Sequence, residues 1–259
     1  MVQDLGPAGS VDGAAWRVQL GLGDDEHPAA VIVEGTWWRS EKTQRRLAQL
    51  EDVRELGVPD VFLGRRGERT VLFACPYGAP RTAEVVHMAA LVGVRLAVQI
   101  GSCGVLGDGI RPGDVIVPTA TLGLDGVTPL YASDPQVAAS STWVGRAAAA
   151  LADRGIAEHR GPSVTWPTLF NQPIAVVAQW HQAGYLGVDM ETATTLAVAS
   201  YFEIDAVSML VAWDEVRSGR SFLDPLPESE ATAFAAADEA IFTAALELVD
   251  AIDSAMIEA

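Results

Sequence analysis

QIGSCGVLGDGIRPGD, residues 99–114, continues a largely apolar run that starts at Val94, and that junction decides the fold class. A run this apolar reads as a strand buried on both faces of a parallel sheet. Such a strand hands small residues and backbone N–H groups to a ligand at its carboxyl end. Here those residues are Gly101, Ser102, Cys103 and Gly104. A second island, GVDMETA at 187–193, sets two carboxylates, Asp189 and Glu191, on either side of Met190, and an Ala/Thr/Leu helical pattern follows at once. The two islands read as opposite walls of one small-molecule pocket.

Outward from them, strands and helices alternate. Strands are expected at 29–33, 70–74, 96–100, 114–118, 158–165 and 206–212. Helices are expected at 40–50, after the 76–80 turn through Val85 to Ala90, and at 138–153, 175–183, 191–202 and 228–256. Strands that are apolar throughout, separated by helices, predict an α/β fold: a single domain with a twisted, mostly parallel central sheet flanked by helices. No linker, repeat or low-complexity tract divides the chain. Residues 1–15 read as a flexible leader and 16–259 as the domain.

The 259 residues suffice for one α/β core, and no apolar stretch reaches transmembrane length, which predicts a soluble protein. MVQDLGPAGSVDG lacks the basic and apolar regions of a signal peptide, so a cytoplasmic location is expected. Cys75 and Cys103 are the only cysteines; without metal-ligand spacing they predict reduced thiols and no structural zinc. A net charge of −17 argues against nucleic acid as a partner. The basic residues are arginines apart from Lys42, and locally clustered arginine still binds phosphate or carboxylate in an acidic protein. His87, His159 and His181 show no ligand spacing and read as structural or surface residues.

The motifs resemble the nucleoside phosphorylase superfamily, in its purine nucleoside phosphorylase and uridine phosphorylase branch, with the methylthioadenosine and adenosylhomocysteine nucleosidases close by. The similarity spans residues 18–212. It is strongest in IGSCGVL, RPGDVIVPT and LDG within 100–126, and in VDMETA at 188–193, with Asp214 ending a later strand. The resemblance implies a phosphate loop at Gly35-Thr36-Trp37-Trp38-Arg39, where glycine and arginine keep the family spacing while the acid and proline between them are lost. Gly35 and Arg39 would then face an oxyanion with Ser102; the alternative is a surface arginine at a helix start. Arg54 loosely matches an arginine lent by a neighbouring subunit. Gln99 stands where relatives carry a further phosphate arginine, and Arg81 either returns that charge or caps a helix.

By the same resemblance Glu191 accepts the ribose hydroxyls and steadies oxocarbenium charge, and Met190 packs under the sugar. Asp189 is a supporting acid or a helix cap. Asp214 matches the aspartate that protonates a departing purine, a role that needs a raised pKa. No residue cleanly matches the arginine that relatives turn toward this acid; Arg217 and Arg220 are nearby. Trp166 and Phe170 are candidates for the base wall, or else ordinary core. Gln19 aligns with a histidine that relatives lend across a dimer to the sugar 5′-hydroxyl, so at least a dimer is expected, or a hexamer built from dimers. The implied activity is cleavage of the N-glycosidic bond of a purine nucleoside or 5′-modified analogue, with inorganic phosphate as co-substrate and no cofactor or metal. A nucleosidase using water and a non-catalytic nucleoside-binding protein are the alternatives.

Overall fold

The computed structural model describes residues 11–217, 220 and 223–252. Its centre is four parallel strands: β4 (Arg69–Ala74), β1 (Pro28–Gly35), β5 (Leu96–Val105) and β10 (Asp205–Ala212). The ladder sets Ile32 beside Phe73 and Val98, and Val98 beside Val207. Because side chains alternate along a strand, β1 feeds two cores. Ala30 and Ile32 join one, with Val98, Val207 and Met209; Val31 and Val33 join the other. The first core is closed by α4 (Ser141–Ala152) and α7 (Glu228–Asp250), through Trp143, Ala147, Ile241 and Phe242. The second is closed by α3 (Ala79–Leu91) and α6 (Thr192–Tyr201), through Val85, Val86 and Leu196.

The remaining strands make the sheet mixed. β2 (Glu51–Glu55) and β3 (Val61–Arg66) extend it antiparallel beyond β4. On the other side β6 (Val115–Gly123), β8 (Glu158–Thr165) and β9 (Gly187–Asp189) run from β10 back to β5. The β5–β10–β6–β8–β9 circuit therefore closes on itself, and the short β7 (Gln136–Ala138) pairs with β6. This ring is a small closed barrel joined to an open sheet. Closure removes exposed edges at the point where the two sequence islands meet.

The expected parallel core and its helices are present, with instructive differences. β5 runs on past Ile100 to Val105: Ser102 and Cys103 pair with Val211 and Ala212, and Gly104 with Val188. The small-residue motif is thus strand backbone under neighbouring strands and not a loop. Asp12 accepts the Ala15 N–H at 2.8 Å, so a helix, α1 (Gly13–Leu20), starts inside the stretch read as leader; residues 1–10 lie outside the described residues. The helix expected at 138–153 starts at Ser141, because Ala138 completes β7. The one expected at 228–256 is helical over 228–250, and 253–259 lie outside the described residues. β2, β3, β7 and β9 were not anticipated. EDVRE is polar and exposed, VFLGRR breaks its apolar run at Gly64, and β7 and β9 are three residues each.

Candidate active site

Parallel pairing brings the carboxyl ends of β1, β5 and β10 to one place: Gly35 is register partner of Gly101, and Gly101 of Leu210. Both glycines are there for space. A Cβ on Gly35 would lie 2.3 Å from Glu191 Oε2, and one on Gly101 would lie 2.8 Å from the Gly35 carbonyl oxygen. The wall is therefore as thin as backbone allows, and Glu191 occupies what it leaves. Glu191 follows β9 and immediately precedes α6; its Oε1 accepts the Gly78 N–H at 2.7 Å. Gly78 has φ +84°, a left-handed conformation that lets the turn before α3 aim its N–H at the carboxylate.

Asp189 has a different environment. It accepts hydrogen bonds from the Thr165 hydroxyl at 2.6 Å and from the Thr192 N–H at 2.8 Å, with the Thr192 hydroxyl also 2.6 Å away. This ties β9 to β8 and caps the start of α6, in keeping with the helix-cap reading of this acid. Burial pushes its pKa up, and these hydrogen bonds oppose the rise. Glu191 is raised further, to about 8, first by burial and then by the charge of Asp189; the Gly78 and Met190 N–H groups pull the other way. Both carboxyls border the cavity, but the oxygens of Asp189 are taken up by Thr165 and Thr192.

Met190, Ser102 and Gly35 border the same cavity, and Asp214 closes it from the far side. The Asp214 carbonyl accepts the Val105 N–H at 2.7 Å, which fixes the end of β10 against β5. Burial raises the Asp214 pKa, against its own backbone N–H and the charge of Arg220. Arg220 itself pairs with Glu230 at 2.8 Å and Glu215 at 3.6 Å. Trp213 stacks on Trp38, with ring centroids 5.1 Å apart and planes 28° from parallel. Beyond this stack a second cavity of about 250 Å³ shares Gly35, Thr36 and Ser102 with the first.

Several expected site residues are elsewhere. Arg39 starts α2 (Arg39–Leu47), donating from Nε to the Cys75 carbonyl at 3.0 Å and pairing with Asp60 at 2.6 Å. It points away from the cavity, so the geometry does not bring it to an oxyanion there. Arg81 bonds the Pro59 carbonyl at 2.8 Å and Glu84 at 3.0 Å, a helix-start arrangement that returns no charge to the site. Gln99 is buried below the floor. Its Oε1 takes the Ser208 hydroxyl and lies 2.9 Å from the Thr192 hydroxyl, while Nε2 donates to the Ile100 carbonyl. Arg54 pairs with Glu26 and the Gly21 carbonyl, and Gln19 is exposed on α1. The Trp166 indole N–H donates to the Asn171 carbonyl at 2.7 Å, and its ring packs edge-on to Trp180 on α5 (Ile174–Gln182). Phe170 is 75% exposed and meets Trp37 edge-on at the rim. In place of Trp166 and Phe170, Tyr77, Leu169 and Gln172 border the cavity. Their signal was local: Tyr77 precedes Gly78, and Leu169 precedes Phe170. Among the described residues no cluster of His, Cys, Asp and Glu side chains is placed to hold a metal ion, and no helix is long and apolar enough to cross a membrane.

Comparison with known proteins agrees with this geometry. A guanosine phosphorylase from Halorubrum lacusprofundi is 31% identical over 127 residues, covering 47% of this chain and 51% of that protein. The chain thus spans about half the length of that relative. A DeoD-type purine nucleoside phosphorylase from Alkaliphilus metalliredigens is 26% identical over 60% of this chain and 67% of its own length. A uridine phosphorylase from Haemophilus influenzae is 26% identical over 65% and 73%. The solved uridine phosphorylase of Vibrio fischeri ES114 superposes with a TM-score of 0.76 at 20% identity, covering 95% of this chain and 97% of that one, which shows the same fold. The family model described as the phosphorylase superfamily matches residues 35–251. That segment begins at Gly35, the thin wall itself, and takes in both the Glu191 and the Asp214 sides of the cavity, so the chain belongs to the phosphorylase superfamily.

Proposed function

We propose that this chain is an enzyme that cleaves the N-glycosidic bond of a purine nucleoside or 5′-modified analogue with inorganic phosphate, releasing the base and a pentose 1-phosphate. The observation that carries the reading is the convergence of Glu191 and Asp214, both with raised pKa, on one cavity floored by Gly35 and Ser102. Glu191 accepts hydrogen bonds from the vicinal ribose hydroxyls, which together with the charge developing at the anomeric carbon favour its ionised form over the protonated form of the free protein. Asp214, whose pKa burial raises, donates a proton to the departing purine, so the base leaves without full negative charge. Phosphate attacks the anomeric carbon from the Ser102 side. Tyr77 and the Trp213–Trp38 stack, which border the cavity, offer aromatic surface to a base.

Gln19 and Arg54 lie on the surface of their own chain, which fits a dimer in which they reach a neighbour's cavity, and free buried cysteines fit a cytoplasmic protein. Hydrolysis is favoured by one observation: Arg39 turns to Asp60 while neutral Gln99 stands at the other expected cation position. Base release from purine and pyrimidine nucleosides, including 5′-modified ones, with and without phosphate and with identification of the sugar, decides between them. Phosphate-dependent pentose 1-phosphate from purine nucleosides supports the proposal; free pentose at an unchanged rate without phosphate refutes phosphorolysis. No release from any nucleoside refutes the enzyme and leaves a binding protein.

A further inference from the structure

We infer that Lys42 and Arg45 on α2 supply the cations of the oxyanion site, in place of Arg39; this rests on the phosphorolysis proposed above. Trp38, Lys42 and Arg45 are spaced i, i+4, i+7 and so share one helix face. All three border the second cavity, together with Gly101 and Ser102. Arg39 lies about 100° round the same helix, toward Cys75 and Asp60. Among the described residues lining the two cavities, Lys42 and Arg45 are the cationic side chains. They lie on the side of Ser102 away from Glu191.

A bound oxyanion competes with Asp238 for both cations. Arg46, fully buried behind this face, holds Glu34 through two hydrogen bonds of 2.9 and 3.0 Å and also reaches Asp238 at 3.0 Å. Glu34 is thereby largely neutralised, although Lys42 is still 3.7 Å from it. Lys42 and Arg45 both pair with Asp238, whose single charge they share with Arg46, and Arg45 lies 3.4 Å from the half-exposed Glu239. Glu41 also borders the cavity. Burial lowers the Lys42 pKa to about 8, with Arg46 and Arg45 adding to the fall and Glu34 and Glu41 opposing it. An oxyanion at Ser102 adds a further counter-charge.

The test measures phosphate KM, nucleoside KM and pentose 1-phosphate formation in wild type, Lys42→Met, Arg45→Met and Lys42→Arg, with calorimetric titration of inorganic phosphate into each. Lys42→Met and Arg45→Met are expected to raise phosphate KM about tenfold or more, as loss of one charge-assisted contact should, with nucleoside KM within about twofold. Lys42→Arg is expected to keep most of the phosphate affinity. A side chain that merely clamps α2 to α7 would lower the melting temperature without separating the two KM values. Unchanged phosphate KM and binding in folded Lys42→Met and Arg45→Met overturn the assignment. If Lys42→Met does not fold, the half-exposed Arg45→Met decides. If wild type yields free pentose, phosphorolysis fails, and the titration alone judges the cation pair: binding lost in the variants upholds it, and no binding to wild type overturns it.

Discussion

Replacing Glu191 by Gln should flatten the dependence of folding stability on pH. In the unfolded chain this carboxyl ionises near 4.5; in the fold it holds its proton to about 8, because it is buried beside Asp189. A raised folded pKa leaves stability intact below the unfolded value and removes it as pH climbs toward the folded one. Each pH unit between them costs about 1.4 kcal/mol, so the span is worth on the order of 5 kcal/mol, of which coupled Asp189 takes a share. Above about pH 8 the curve should level off. The Gln amide keeps an oxygen for the Gly78 N–H and carries no titratable proton, so the variant should lose this slope without losing the contact. Urea unfolding of the free protein at unit steps from pH 5 to 9 measures both curves, and their difference cancels every group the two proteins share. Parallel curves, with the variant folded as well as wild type at pH 5, would refute the buried-acid account of Glu191.

Gly35→Ala should cut nucleoside affinity at least tenfold and lower stability by about 1–3 kcal/mol, since its methyl would lie 2.3 Å from Glu191 Oε2; substrate titration and thermal melts check both. Asp214→Asn should slow purine nucleoside cleavage by about a hundredfold or more at an unchanged melting temperature, while nucleosides whose base leaves without protonation are spared; equal losses on both substrates would remove the acid role. Arg39→Ala should leave phosphate KM within about twofold and cost no more than about 1 kcal/mol, because its ion pair with Asp60 is exposed. A large rise in phosphate KM there would show that α2 rearranges when phosphate binds.

The strand-borne half of the site was legible before any coordinates. Gly35 ends β1, Ser102 lies in the carboxyl half of β5, and Glu191 and Asp214 come two residues after β9 and β10; the apolar runs that lead to Gly35, Ser102 and Asp214 are unmistakable in sequence. What did not come through is instructive. Trp166 looked like a base-stacking residue because it follows Thr165, yet its ring packs on Trp180 and its indole N–H serves the Asn171 carbonyl. An aromatic beside a strand end satisfies core and pocket equally well, and only the position of α5 separates the two. β9 has three residues and no pattern of its own, although it closes the ring and delivers Asp189. The expected strand stops at Ile100, whereas β5 runs on through the glycines at 101 and 104 to Val105. In the fold they mark close backbone approach, which is invisible without the partner strand.

The fate of Arg39 has a more general cause. A residue one step beyond a parallel strand inherits a register locked by ladder hydrogen bonds, so Gly35 and Gly101 face each other and Glu191 fits against them. A residue on the next helix inherits only a spacing, and each step turns its side chain by about 100°. Keeping three residues between glycine and arginine therefore does not keep the arginine's direction once the residues between them change. Here an acid and a proline give way to Thr36 and Trp37, and Trp38 stacks on Trp213 at the head of α2. That stack takes the cavity-facing position of the first turn and leaves Arg39 to Cys75 and Asp60. Any cation that serves this cavity from α2 must then come four or seven residues after Trp38, where Lys42 and Arg45 stand.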